Sequence, residues 1–168
     1  MRGFIGLAVV CAVVALFLFV APAGADEKEK TKKIDVDKVP KKVMAAVKAR
    51  FPKAKITSVE KETTDGKVMY DIELTQKGRK YEMDILEDGT VLEVEKEVFL
   101  KDAPEALTKA VKAKYPRAKI KVIMEVNKVK DKKETPDHYE VTLQEEGKKE
   151  FEVLVSLDGK IKTEGEKK

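Results

Sequence analysis

The chain of 168 residues has one cysteine, one histidine and no tryptophan. Cys11 lies in an apolar N-terminal run, so the body of the chain has no thiol. That excludes a disulfide framework, a thiolate metal centre and a cysteine nucleophile. Zinc takes three or four nitrogen or sulfur ligands, and one histidine cannot supply them. His138 stands beside Asp137 just before an expected strand, and no Ser/His/Asp set assembles around it; it reads as a surface residue. The glycines of the body sit singly, each after Asp, Lys or Glu, so no phosphate loop or dinucleotide fingerprint is present. Neither sign of charge predominates: 35 basic and 31 acidic residues leave a net charge of +4. Charges so well mixed argue against a nucleic-acid binder, which shows a basic excess on one face. Acid–base catalysis needs a pocket that shifts one carboxyl pKa, and the carboxylates of this sequence fall on an open polar phase. No catalytic residue, metal or cofactor is expected, and the chain reads as a non-enzyme.

The apolar N-terminus has its own logic. Met1-Arg2 precedes an almost purely apolar run from Phe4 to Val20, and Ala23-Gly24-Ala25 forms a small-x-small cleavage pattern. Residues 1–25 read as a signal peptide, which makes the protein exported, periplasmic or secreted, with no membrane attachment after cleavage. An uncleaved anchor is the competing reading, because the apolar run approaches spanning length. Residues 26–36 read as a charged disordered linker: Asp26 to Lys33 has no apolar side chain with which to bury anything.

The rest of the chain contains one pattern twice. Residues 39–56 and 103–120 align without a gap at an offset of 64. Val39, Val43, Val47 and Phe51 form one apolar helix stripe, and Ala103, Leu107, Val111 and Tyr115 form the other. Asp37 and Asp102 are the expected N-caps. Pro52 and Pro116 end the helices, because the residue before a proline avoids helical geometry. Four strands of alternating polarity follow each helix, joined by turns such as Asp65-Gly66, Asp88-Gly89 and Asp158-Gly159. In the second copy the first strand places Ile120, Val122, Met124 and Val126 on the apolar phase. A longer polar connection, residues 127–137, raises the offset to 69 at Tyr139. The expected fold is α+β: two tandem repeats, 37–98 and 99–168, each one helix packed on a four-stranded antiparallel meander. Phe99-Leu100-Lys101 joins them without a Gly/Ser-rich linker, so the two units are expected to pack against each other.

The polar phase of the first repeat carries Asp71, Glu73, Glu82, Asp84, Glu93 and Glu95. Facing carboxylates cost stability. Two readings stay open: a solvated face whose charge discourages edge pairing, or a docking surface for a basic partner or a cation. These six residues are the candidate partner-binding site.

Several marks in both copies resemble one known family. They are Val39-Pro40, Phe51-Pro52-Lys53-Ala54-Lys55-Ile56, Tyr70, Tyr81 and Asp88-Gly89, then Ala103-Pro104, Tyr115-Pro116-Arg117-Ala118-Lys119-Ile120, Tyr139, Phe151 and Asp158-Gly159. Together they resemble the PepSY-like domain, also described as β-lactamase-inhibitor-like, in two tandem copies. The resemblance implies an exported bacterial protein whose paired units align their sheets into one binding surface. It therefore implies a binding module that engages a protein or peptide through the open sheet face, with modulation of a peptidase or another envelope enzyme as one role. Envelope cation binding or buffering by the acidic face of the first repeat is the alternative.

Overall fold

The structure is a computed structural model and describes residues 30–64 and 66–166. The expected signal peptide and the first residues of the expected linker lie outside the described residues. In chain order the elements are strand β1 (Lys30–Lys33), helix α1 (Lys41–Arg50), strands β2 (Lys55–Thr64), β3 (Lys67–Gln76), β4 (Arg79–Leu86) and β5 (Val91–Glu97), helix α2 (Glu105–Lys114), and strands β6 (Lys119–Lys130), β7 (Lys133–Gln144), β8 (Glu150–Ser156) and β9 (Ile161–Glu166). The strands form one nine-stranded antiparallel sheet in chain order. Each helix is thus followed by four strands, but the two expected meanders are not separate sheets. β5 pairs with β6 from Glu93↔Lys128 to Glu97↔Met124, and the ladder runs on through the junction.

The helix stripes do what their spacing dictates. Val39, Val43 and Val47 are buried against Tyr70, Ile72, Leu74, Met83 and Ile85. Leu107 and Val111 are buried against Ile123, Tyr139, Val141, Leu143, Val153 and Val155. Each helix ends one residue before an aromatic that packs on the third strand of its own meander. The Phe51 and Tyr81 ring centroids are 4.6 Å apart, and those of Tyr115 and Phe151 are 5.4 Å apart. Pairs at such distances add stabilisation beyond the area they bury.

Four expectations need correction. Asp37 and Asp102 do not cap the helices: each sits in a short 3-10 turn, Val36–Lys38 or Leu100–Asp102, and Pro40 and Pro104 occupy the cap positions without a side-chain cap bond. A proline costs nothing there, since the first amides of a helix have no intrahelical acceptor. The linker is not wholly unstructured: Lys30–Lys33 pair with Thr63 to Glu60 as an edge strand, and the Ile34 amide donates to the Val59 carbonyl. A strand needs only backbone groups to pair, so the lack of apolar side chains does not forbid it. Residues 127–137 are not a loose connection. They extend β6 and β7 into a hairpin that turns at Asp131 and Lys132, both with positive φ, as a tight two-residue turn demands. Arg50 Nη1 at the end of α1 donates to Glu134 Oε1 on that hairpin at 2.6 Å, tying the two halves together.

The fourth correction concerns phase. Register shifts between Ile56 and Ser58 in β2, and between Ile120 and Val122 in β6, invert the alternation. A one-residue shift moves every following side chain to the other face. Ile123 therefore enters the core, while Met124 and Val126 are buried on the face opposite the helices. Both helices lie on one face of the sheet. Val94, in the core under α1, pairs with Asn127, which lies in phase with Ile123 under α2.

The last turn of each meander closes onto its helix. A Cβ built on Gly89 would lie 3.0 Å from the Lys42 carbonyl oxygen, and one on Gly159 would lie 2.9 Å from Ala106 atoms. Both glycines have positive φ, where a side chain costs about 1–2 kcal/mol. Gly147 has a similar φ with open space around it. Chemical denaturation should therefore show Gly159→Ala losing more stability than Gly147→Ala. Equal losses would mean that the turn does not press on α2.

Candidate functional site

The helix-free face is organised by register. Antiparallel partners share a face, so one row runs Lys33, Glu60, Asp71, Asp84, Glu93, Lys128 across six adjacent strands. Four carboxylates stand directly side by side in it, with a lysine at each end. The neighbouring row runs Ser58, Glu73, Glu82, Glu95, Val126, His138. Met124 pairs with Glu140 in the row beyond.

All six residues expected from the sequence fall on this face, but the picture of a solvated surface is corrected. Asp71, Glu82, Asp84, Glu93 and Glu95 are only 3–8% exposed, and Glu73 is half-buried. The side chains of neighbouring strands shield one another. Glu62 and Glu140 are buried here too, and Glu60 is half-buried. Sequence reasoning passed over Glu60 and Glu62 because the bulge at Ile56/Ser58 hides their phase.

Lys128 Nζ donates to Glu93 Oε2 at 2.7 Å. Among the described residues no hydrogen bond reaches Asp71 Oδ1, Glu93 Oε1 or Glu95 Oε2, all of them buried. A buried acceptor left unfilled costs about 1–3 kcal/mol. Burial pushes the Asp71 carboxyl well above the usual carboxylate range, and the charges of Glu82, Asp84, Glu73 and Glu60 add to the effect. Burial, then Glu93 and Glu62, pushes Asp84 up to about 7, against the pull of Lys128. Burial raises Glu95 strongly, with Glu140, Glu82, Asp84 and Glu93 adding. Glu93 is raised by burial as well, with Lys128 opposing.

His138 is the second correction. It is 9% exposed rather than superficial, with Nδ1 2.7 Å from Asp137 Oδ2 and Nε2 3.4 Å from Glu140 Oε1. Burial opposes its charge, but the bonds to Glu140 and Asp137 outweigh burial and raise its pKa. An insertion bulge explains the placement: Val126 faces His138 while Asn127 faces Pro136, so the ring turns onto the acidic face.

Two other sites carry less. No group of three or more His, Asp or Glu side chains among the described residues is placed to hold a metal ion. A groove of about 540 Å³ between the end of α1 and the β6–β7 hairpin is lined by Phe51, Tyr81, Lys96, Glu125 and the Arg50–Glu134 pair. It is open and holds no convergent set of reactive groups. No described helix is long and apolar enough to cross a membrane.

Two family models match parts of the chain. Residues 25–93 match the family described as "Putative beta-lactamase-inhibitor-like, PepSY-like". Residues 104–165 match a different family, described as "Protein of unknown function (DUF3889)". No curated protein matches the chain. Among solved structures, one described as a putative periplasmic protein from Bacteroides eggerthii DSM 20697 superposes with a TM-score of 0.60 at 15% identity, covering 75% of this chain and 87% of that one. A DUF2874 family protein from Bacteroides uniformis ATCC 8492 gives 0.57 at 16% identity, covering 74% and 87%. A BLIP-like protein from Bacteroides fragilis NCTC 9343 gives 0.51 at 19% identity, covering 74% and 84%. At such identities the likeness is one of fold.

The electrostatics of the face set an unusual pH dependence. Above the ordinary carboxylate range, and for Asp84 up to about pH 7, the folded chain holds protons at Asp71, Asp84 and Glu95 that the unfolded chain has released. Stability therefore falls as pH rises through that window. His138, whose folded pKa is raised, contributes stability at low pH that is lost as pH rises through that pKa, in the same direction. The carboxylates with lowered pKa, such as Asp88 and Asp158, lose their contributions only at more acid pH. The melting temperature should thus be higher at pH 5 than at pH 8. Asp71→Asn should raise it at pH 8 by about 3 °C, the equivalent of about 1 kcal/mol from one like-charge pair in a chain of this size. A melting temperature that rises from pH 5 to pH 8 would contradict the assignment.

Proposed function

We propose that the protein, whose residues 25–93 match the PepSY-like family, is an exported, non-enzymatic binding module of the cell envelope. It engages a protein or peptide partner through the helix-free face of its sheet. The observation that carries this reading is the set of unfilled, buried carboxylate oxygens on Asp71, Glu93 and Glu95, on the one sheet face that neither helix covers. Unsatisfied buried acceptors are rare in native structures and call for a donor.

Other features support the same reading. The N-terminal apolar run with Ala23-Gly24-Ala25 fits export, and one structural relative is described as periplasmic. The gapless repeat of residues 39–56 at 103–120, each followed by four strands, supports an internal duplication in which each unit contributes half of one surface. Another relative is described as BLIP-like, which fits control of an envelope enzyme such as a peptidase. Catalysis is disfavoured because the hydrogen bonds of His138 go to Asp137 and Glu140 rather than to a nucleophile. The raised carboxyls, moreover, face one another rather than a cleft.

Site-specific photo-cross-linking tests the reading. A cross-linker at Leu154 or Glu73, on the helix-free face, should trap a defined envelope protein. The same group at Lys48 or Lys112, on the exposed helix surfaces, should not. Equal trapping from the helix positions would overturn the proposal.

A further inference from the structure

The chemistry of the face says what kind of partner would fit it, given the docking role proposed above. We infer that the row of Glu60, Asp71, Asp84 and Glu93, with Glu95 beside it, receives an extended basic segment of polypeptide carrying lysine or arginine at alternate positions.

Three observations carry this. First, the row is linear. Adjacent strands lie about 4.8 Å apart, so four carboxylates on four strands span about 14 Å. A single ion, whose oxygen ligands sit within about 2.6 Å, cannot serve such a line, and no three acidic or histidine side chains among the described residues converge on one point. Side chains on alternate residues of an extended segment recur at about 7 Å, so three of them cover the length. Second, the buried oxygens of Asp71, Glu93 and Glu95 lack donors, and arginine brings several in a planar fork matched to carboxylates. Third, Glu60 at the β2 end of the row and Glu73 in the neighbouring row are half-buried, which leaves a way in from the β2–β3 side. Lys33 and Lys128 stand at its ends in register. Lys128 already pairs with Glu93 at one end, and an incoming basic side chain extends that pairing inward. Entry of fixed positive charge displaces the protons that the carboxyls otherwise hold.

The net charge of +4 sharpens the test, since the chain as a whole repels a polycation. The probe is an end-blocked peptide of five residues with arginine at the first, third and fifth positions, set against one with glutamine there. Calorimetry at pH 7 in two buffers of different ionisation heat should show binding of the arginine peptide with release of protons. The double variant Asp71→Asn/Glu95→Gln, checked for an undiminished melting temperature, should bind it about tenfold more weakly or worse. Equal binding of the glutamine peptide, or an unchanged affinity in the double variant, would overturn the inference. So would displacement of the arginine peptide by millimolar calcium, which makes the row an ion site. Self-association that the double variant abolishes would also overturn it, making a second copy of the chain the occupant. If the Leu154 cross-link to a partner persists in the double variant while the arginine peptide fails to bind, the face still docks a protein and only its basic chemistry is wrong. If both are absent, the docking role fails with it.

Discussion

Strand register, fixed from the helix side of the sheet, is the constraint on which the rest of the molecule depends. Val43, Val47, Leu107 and Val111 seat two helices on the same face, and the strand residues beneath them are almost wholly buried. Alternation along a strand leaves no freedom after that. With Ile72, Met83 and Ile85 held inward, Asp71, Glu82 and Asp84 must point to the other side. A slip of one residue would expose the core and bury the acids beneath the helices. Hydrophobic packing on one face thus imposes an arrangement of like charges that the other face would never adopt by itself.

That arrangement is held under electrostatic tension. Carboxylates directly opposite each other on neighbouring strands repel, and burial removes the water that would screen them. The molecule relieves part of this with Lys128 on Glu93 and His138 on Glu140, and part by keeping protons on Asp71, Asp84 and Glu95. A surface that binds protons near neutrality for want of counter-charge is one that a cationic group can enter. The same stored repulsion that weakens the isolated fold would therefore return as binding free energy, and the site would respond to pH.

Much of the scaffold was legible in the sequence, because it depends on local periodicity. The four-residue spacing of Val39, Val43, Val47 and Phe51, the prolines at 52 and 116, and the Asp-Gly turns mark the helices and meanders directly. The six acidic candidates were placed on the correct face by alternation alone. What escaped was set by longer-range geometry. The bulges at Ile56/Ser58 and Ile120/Val122 shift phase without a glycine or proline to announce them, so Met124 and Val126 were assigned to the wrong face. The pairing of β5 with β6, and of Lys30–Lys33 with β2, joins backbone groups that carry no side-chain signature. Burial of the acids and of His138 depends on how the rows crowd together, and alternation says nothing about that.

The helix-free face holds protons above the ordinary carboxylate range because its acids are buried beside one another. A carbon-13 NMR titration of the Asp84 side-chain carboxyl tests it most directly. The midpoint should lie near 7, with the signals of Asp71 and Glu95 also displaced above the ordinary carboxylate range. A midpoint near 4, the value of an exposed aspartate, would show instead that the face is hydrated and ionised.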